Sequence, residues 1–83
     1  MDKKQLEQIK VLIPQFIWEL EDERLIAKSG ILVLRIAGWG RQFECTIFDQ
    51  TCSRNIWVFL TKEFEDGISV LKLHIERLKE ALG

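Results

Sequence analysis

The chain has 83 residues, of which 47% are hydrophobic and 30% are charged, and its formal net charge is −1. This length supports one domain over residues 1–83, and the composition excludes intrinsic disorder, because the apolar fraction is ordinary and the net charge is small. Five Gly and one Pro exclude a collagen-like chain. No segment approaches the ~18 uninterrupted apolar residues of a membrane-spanning helix, and two cysteines are too few for a disulfide scaffold. We therefore expect a small soluble cytoplasmic domain with reduced thiols.

The first predicted element is an N-terminal helix. Asp2 is suited to cap it, with Gln5 in the reciprocal position of a capping box. Apolar residues then recur at the spacings of three and four that are typical of one helix face: Leu6, Ile9, Ile13, Phe16 and Leu20. Pro14 within this stripe predicts a kink or a division into two shorter helices. Because the helix dipole disfavours the acidic residues 19–23 at a C-terminal end, we expect the helix to end at residues 20–22.

The middle of the chain predicts three or four antiparallel strands. Ser29-Gly30 is typical of a hairpin turn, and residues 37–40, with Gly38 and Gly40, predict a second turn. Residues 41–48 alternate between apolar and polar side chains, the pattern of a half-buried strand. Residues 54–60 are apolar on both faces, which is expected of an interior strand or of one covered by a partner.

The last predicted element is a second helix. Its apolar stripe has strict 4-3-4-3-4 spacing: Phe64, Ile68, Leu71, Ile75, Leu78 and Leu82. Thr61 is suited to cap this helix, but Gly67 weakens its first turns, so the regular helix is expected to begin nearer Ile68. The stripe favours packing against the sheet, with a helix–helix seam between subunits as the alternative.

These elements predict a two-layer α+β fold with the order α-β-β-β(-β)-α and both helices on one face of the sheet. The other face would then be open. The alternation of the strands predicts that the open face carries ten residues: Ile31, Val33, Arg35, Gln42, Glu44, Thr46, Phe48, Arg54, Ile56 and Val58. Several of these are apolar, which also predicts self-association, because exposed apolar patches commonly mark interfaces.

No motif in the sequence points to catalysis, a metal or a cofactor. His74 has no Cys, Asp or Glu in helical register with it, and Cys45 and Cys52 lack the further ligands that zinc needs. Gly38-Trp39-Gly40 is not a GxGxxG fingerprint and no helix follows it. We therefore expect no enzyme and no catalytic, metal or cofactor residue; a nucleophilic Cys52 is the remaining enzymatic alternative.

The charges are unevenly distributed along the chain. Residues 24–62 carry six basic and two acidic side chains, while the segments on either side are acidic. A basic, aromatic strand region predicts an interaction surface, because Arg and Trp are enriched among interface hot spots. We predict five partner-binding residues there: Arg35, Trp39, Arg41, Phe48 and Arg54. The predicted function is that of a homodimeric, non-catalytic regulatory module that binds an acidic surface of a partner protein.

Nucleic-acid binding through the same surface is the alternative prediction, since arginines contact phosphates and rings stack on bases. The predicted order of elements resembles that of the double-stranded RNA-binding domain. That family places lysines at the start of its second helix, where this chain has Glu63, Glu65 and Asp66, so the resemblance is one of element order alone. The sequence pI of 5.8 also favours a protein partner, because nucleic-acid-binding domains are usually basic.

Overall fold

The computed structural model describes the backbone of residues 1–82 and the side chains of residues 1–80. It shows an α+β fold in which a helix precedes, and a second helix follows, one antiparallel sheet. The predicted order is therefore confirmed, but the predicted number of three or four strands is wrong, because the sheet has five. The elements are α1 (Lys3–Leu12), β1 (Trp18–Glu21), β2 (Arg24–Ser29), β3 (Leu32–Trp39), β4 (Gln42–Asp49), β5 (Arg54–Thr61) and α2 (Phe64–Leu82).

The N-terminal helix α1 begins as predicted and ends earlier. The carboxylate of Asp2 accepts a hydrogen bond from the backbone N–H of Gln5 at 2.9 Å, and the Gln5 side chain accepts one from the Asp2 N–H at 3.0 Å. The helix ends at Leu12, where the N–H of the C-cap residue Ile13 donates to the carbonyl of Ile9 at 2.8 Å. The capping box is therefore confirmed, and the predicted end at residues 20–22 is wrong.

The fifth strand, β1, lies inside the stripe that predicted a longer helix. Pro14 follows the C-cap, and four residues later the chain enters the sheet at Trp18. In β1, Trp18 and Leu20 point to the helix side while Glu19 and Glu21 point away, which is the period of a strand. Phe16 and Leu20 are four residues apart, which fits both the spacing of one helix face and the alternation of a strand. The sequence pattern alone therefore does not separate the two structures over this segment.

The five strands form a simple meander in the order β1-β2-β3-β4-β5, so β1 and β5 are the two edges of the sheet. Ser29 pairs with Leu32 and Trp39 pairs with Gln42, which places the two central turns at residues 30–31 and 40–41. Strand β3 therefore continues through Gly38 and Trp39, where a turn was predicted. Gly40 takes a φ of +58° in the second turn, a conformation that favours glycine.

One hydrophobic core lies between the helices and the sheet. It combines Ile9 and Ile13 from the N-terminal segment with Ile68 and Leu71 from α2. The strands contribute their inward residues to the same cluster, including Leu25, Leu34, Ile36, Cys45 and Ile47. Both helices therefore lie on one face of the sheet, as predicted. None of the described helices is long and apolar enough to cross a membrane.

The C-terminal helix α2 begins at Phe64, earlier than predicted, and Gly67 lies buried in its first turns. A Cβ at Gly67 would lie 3.0 Å from Thr61 Oγ1 and 3.1 Å from Cys45 Sγ. The missing side chain therefore lets α2 approach β4 and β5 closely, which offsets the poor helix propensity of glycine. The predicted stripe is buried from Phe64 to Ile75, and Leu82 lies outside the described side chains.

Candidate functional site on the open face of the sheet

The open face is the side of the sheet opposite the helices. Cross-strand partners share a face, so the register places its residues in rows across the strands. One row contains Glu19, Ile26, Arg35, Thr46 and Val58, the next contains Glu21, Arg24, Ala37, Glu44 and Leu60, and a third contains Lys28, Val33, Phe48 and Asn55. Seven of the ten predicted residues therefore lie on this face: Val33, Arg35, Gln42, Glu44, Thr46, Phe48 and Val58.

A β-bulge removes two of the predicted residues, Arg54 and Ile56, from the open face. Phe48 pairs with Asn55 but Ile47 pairs with Trp57, so Ile56 is an extra residue in β5. Ile56 lines a cavity on the helix side instead. Arg54 pairs with Asp49, which also lines that cavity. The prediction assumed that side chains alternate strictly between the two faces along β5. The extra residue of the bulge interrupts this alternation, so the predicted face was wrong for these two residues.

The third predicted residue that lies elsewhere is Ile31. The pairing of Ser29 with Leu32 puts it in the turn between β2 and β3, and it lines the same cavity on the helix side. The prediction began the strand at Ile31, one residue before β3 begins. Because side chains alternate between the two faces every residue, this difference of one residue was enough to assign Ile31 to the wrong face.

The arginine hollow is a depression of about 220 Å³ on the open face, at the centre of the sheet. Its lining residues are Arg24, Arg35, Ala37, Trp39, Glu44 and Thr46. Thr46 is only 2% exposed although no helix covers it, because the surrounding side chains enclose it. The hollow therefore combines two guanidinium groups, one carboxylate, one indole and a shielded floor.

The arginines of the hollow form no ion pair with any carboxylate whose side chain is described. The single ion pair among residues 1–80 joins Lys10 and Glu7 on α1 at 3.4 Å. Arg35 is also half-buried, so its charge is less well solvated than that of a surface arginine. Glu44 lines the same hollow, but no carboxylate among residues 1–80 lies within ion-pair distance of either guanidinium group.

The structure brings together some of the five predicted binding residues. Arg35 and Trp39 line the hollow, and Trp39 is 66% exposed. Phe48 is half-buried on the same face, two strand positions away, opposite Val33. Arg41 is exposed in the turn after β3, and Arg54 lies on the helix side of β5.

Arg24 is the residue of the hollow that sequence reasoning missed. Arg24 pairs with Ala37 on β3, and Arg35 lies on the same face two residues before Ala37, in the neighbouring row. Alternation along β2 provides the signal that could have found it, because buried Leu25 and Ala27 point inward and Arg24 therefore points outward.

The cysteines differ in reactivity because of their environment. Burial, and secondarily the neighbouring Glu44 carboxylate, raises the pKa of the Cys45 thiol to about 12. Cys45 therefore stays protonated and behaves as a small apolar core residue, as predicted from its strand parity. Cys52 is exposed in the loop between β4 and β5.

His74 packs against the two aromatic residues of β5. Its ring centroid lies 4.1 Å from that of Trp57 and 5.4 Å from that of Phe59. Its Nδ1 atom is buried and has no hydrogen-bond partner among the described residues. No group of three His, Cys, Asp or Glu that could hold a metal occurs among those residues. His74 thus marks the contact between α2 and β5.

A cavity of about 430 Å³ lies on the helix side beneath the C-terminal half of α2. Apolar side chains form most of its wall, including Phe16, Leu34 and Ile75. The carboxylate of Asp49 at its rim accepts hydrogen bonds from the hydroxyl and the N–H of Thr51 at 2.6 and 2.8 Å, which lower the pKa of Asp49. That carboxylate is thus engaged locally, and the open face is the stronger candidate for recognition.

No protein-family model, curated protein or solved structure matches this chain. Its function is therefore inferred from the geometry of the hollow and of the surrounding face. That geometry provides positive charge, an aromatic wall and apolar neighbours, which are the means of binding another molecule.

Proposed function

We propose that this chain is a cytoplasmic, non-catalytic interaction module that binds an acidic surface of a partner protein on the open face of its sheet. The observation that carries the proposal is the arginine hollow, in which Arg24 and Arg35 lie together without a carboxylate partner among the described residues. Guanidinium groups bind carboxylates in a bidentate, charge-assisted geometry, so a pair of them selects an acidic ligand.

The surroundings of the hollow favour a ligand that carries apolar groups beside its carboxylates. Trp39 forms one wall and is largely exposed, while Phe48 and Val33 lie half-buried on the same face. Aromatic and arginine side chains dominate the binding energy of protein interfaces when they cluster near the centre of a patch. We expect the partner to present Glu or Asp next to an aromatic or aliphatic residue.

The charges of the whole face favour a protein partner over nucleic acid. Three basic residues, Arg24, Lys28 and Arg35, share the rows of the open face with three acidic residues, Glu19, Glu21 and Glu44. A continuous phosphate backbone would meet the carboxylates as well as the arginines, whereas a folded protein can place single carboxylates at the arginines. The five strands also differ from the element order of the double-stranded RNA-binding domain.

The test is a binding titration with a short fluorescein-labelled peptide that carries glutamates beside a phenylalanine. The matched control peptide has glutamine at each glutamate. We expect the acidic peptide to bind about tenfold more tightly than its amide twin, because only the carboxylates form charge-assisted bonds with arginine. The readout is fluorescence anisotropy.

Three protein variants locate the site. Arg35→Gln and Arg24→Gln are each expected to weaken the acidic peptide about tenfold, because each removes one charged donor from the hollow. Arg54→Gln is the matched control and should leave the affinity unchanged, since Arg54 lies on the helix side.

Two results would contradict the proposal. Equal affinity for both peptides, or an Arg35→Gln variant that binds like the wild type, would show that the hollow does not recognise carboxylates. Tight binding of a labelled duplex RNA or DNA, with an affinity that falls steeply as salt rises, would favour the nucleic-acid alternative.

A further inference from the structure

The β5 flank is the side of the molecule formed by the edge strand β5 and the adjacent side of α2. Strand β5 has eight residues and no neighbour on its outer side. Val58 is 52% exposed and Leu60 is 56% exposed along this edge. An edge strand offers a row of unpaired N–H and C=O groups, so a long apolar one is a template for another strand.

The adjacent side of α2 continues this surface into the second layer. His74 stacks on Trp57 and Phe59, so its side of the helix faces β5. With 100° between successive residues of a helix, half-buried Val70 and exposed Arg77 lie within about 60° of His74 around the axis. Leu73 is 46% exposed, but it lies opposite the buried stripe of α2 and points away from the sheet. The flank therefore exposes apolar groups in the strand layer and adds Val70 and Arg77 from the helix layer.

We propose that the β5 flank is a homodimer interface, in which β5 pairs antiparallel with β5 of a second copy and the two α2 helices pack side by side. The proposal is independent of the arginine hollow, because it uses neither of the two arginines there. A two-fold axis makes the same patch serve both copies, which is the commonest arrangement in homo-oligomers.

The position of α2 over the sheet allows both layers to pair at once. Helix α2 contacts β4 and β5 about equally, so it lies over the boundary between them. Paired strands lie about 4.8 Å apart, which puts the two helices about 10 Å apart. Packed helices have axes about 8–10 Å apart, so the helices of the two copies would be in normal packing contact.

The geometry also relates the position of a two-fold axis along β5 to its position along α2. Gly67 lies at Thr61, and His74 lies over Trp57 and Phe59. Seven residues of a helix and three residues of a strand both extend about 10 Å. The seven residues from Gly67 to His74 therefore lie alongside about three residues of β5. A two-fold axis that passes beside Phe59 in β5 therefore passes beside residues 71–72 in α2.

This single axis pairs chemically matched residues in both layers. In the strands it places Val58 opposite the partner's Leu60. In the helices it brings Asp66 next to the partner's Arg77. Asp66 and Arg77 are both exposed on one side of α2. Each dimer would contain this attractive pair of charges twice, which favours the antiparallel register.

The area of the flank is sufficient for a specific dimer. A strand of eight residues extends about 26 Å, and the strand and helix layers together are about 20 Å deep, which gives about 500 Å² in projection per copy. Stable protein interfaces bury at least about 1,000 Å² in total. The dimer would join the sheets of two copies into one of ten strands, with both hollows on the same face.

Sedimentation equilibrium over a range of protein concentrations tests the dimer and its location. We expect the wild type to have the mass of two chains and Leu60→Lys to have the mass of one, because a lysine at the paired edge would place a charge against the partner's Val58. Glu21→Lys on the other edge strand, β1, is the matched control and should remain dimeric. Circular dichroism checks that each variant is folded.

A charge reversal tests the register and does not depend on the edge strand. Asp66→Arg and Arg77→Asp should each weaken the dimer about tenfold, since either change creates two like-charge contacts across the axis. The double variant Asp66→Arg/Arg77→Asp should return the dissociation constant to that of the wild type. This readout decides the question if Leu60→Lys fails to fold.

Three results would overturn the proposal. A wild type that is monomeric at every concentration would exclude the dimer. A dimer unaffected by Leu60→Lys, with the variant folded, would place the interface away from β5. A double charge variant that stays weak would exclude the antiparallel pairing of the helices.

Discussion

The two edges of the sheet are built differently. Strand β1 has four residues, and its outward side chains are the carboxylates Glu19 and Glu21. Strand β5 has eight residues, and it exposes Val58 and Leu60 on the open face. Short length and charge are the means by which proteins prevent edge strands from pairing with other chains. The difference indicates that β1 is a protected edge, whereas β5 lacks both of these protections.

The residues beneath the two edges differ in the same way. Under β1, the indole N–H of Trp18 donates to the carbonyl of Ile13 at 3.0 Å and the side chain is almost completely buried. Under β5, Trp57 is half-buried against His74. The β1 edge is thus packed against its own chain, whereas the β5 edge retains exposed apolar surface.

The largest expected effect comes from removing the tryptophan beneath each edge. Trp18→Ala should lower the free energy of unfolding by about 3–5 kcal/mol, because it leaves a core cavity and an unpaired carbonyl at Ile13. Trp57→Ala should cost about half as much at low protein concentration, since that side chain is partly exposed in one copy. Urea unfolding followed by circular dichroism measures both. Equal losses would contradict the difference between the edges.

The next effect concerns the close approach of α2 to β4 and β5. Gly67→Ala should lower stability by about 1–2 kcal/mol, because overpacking against Thr61 and Cys45 costs more than the gain of about 1 kcal/mol in helix propensity. Gly38→Ala is the matched control, since a Cβ there meets nothing within 4 Å. Thermal unfolding should show a lower midpoint for the first variant only, and a stabilised Gly67→Ala would mean that α2 packs more loosely.

A smaller effect is expected at the start of α1, the helix that packs beside β1. Asp2→Ala should cost about 1 kcal/mol, because it breaks both hydrogen bonds of the capping box. Lys4→Ala, an exposed change in the same turn, should alter the unfolding free energy by less than about 0.5 kcal/mol. Indistinguishable urea midpoints for the two variants would show that the cap does not stabilise this side of the molecule.

The smallest effect near neutral pH is the one contributed by Cys45, which lies beneath α2 on the β5 side of the core, because it develops only above pH 9. The unfolded chain loses the thiol proton near the usual pKa of 9.0, while the folded chain keeps it until about pH 12. The unfolded state thus binds fewer protons in this range, and stability falls as pH rises above 9. Cys45→Ala should show a shallower decline in urea midpoint.

Iodoacetamide labelling examines the same thiol in the folded state. At pH 8 the folded protein should react at exposed Cys52 and not at Cys45, which reacts only after unfolding in urea. Mass spectrometry of the labelled peptides distinguishes the two sites. Equal labelling of both cysteines would show that α2 opens readily from β4.

Much of the fold could be predicted because its signals are strongly periodic. The α2 stripe and the inward parity of Phe43, Cys45 and Ile47 were read correctly from spacing alone. Strand β1 was missed because Phe16 and Leu20 satisfy helical spacing and strand spacing together. The end of α1 at Leu12 depends on the proline that follows, which the sequence allowed to be read as a kink.

The position of the candidate residues was predictable only where strand alternation is regular. Arg35, Trp39 and Phe48 lie on the open face because β3 and β4 pair without interruption over these positions. Arg54 lies on the other side because of the bulge in β5, which depends on tertiary pairing. Alternation along β2 puts Arg24 on the open face, but its place beside the other residues of the hollow depends on its pairing with Ala37 in β3.

Amide hydrogen exchange at two protein concentrations tests the difference between the edges most directly. At high concentration, the β5 amides that point away from β4 should exchange slowly, and on dilution below the dimer dissociation constant they should exchange fast. The outward amides of β1 should exchange fast at both concentrations. Fast exchange along the outer side of β5 at every concentration would show that this edge stays uncovered and would contradict the account.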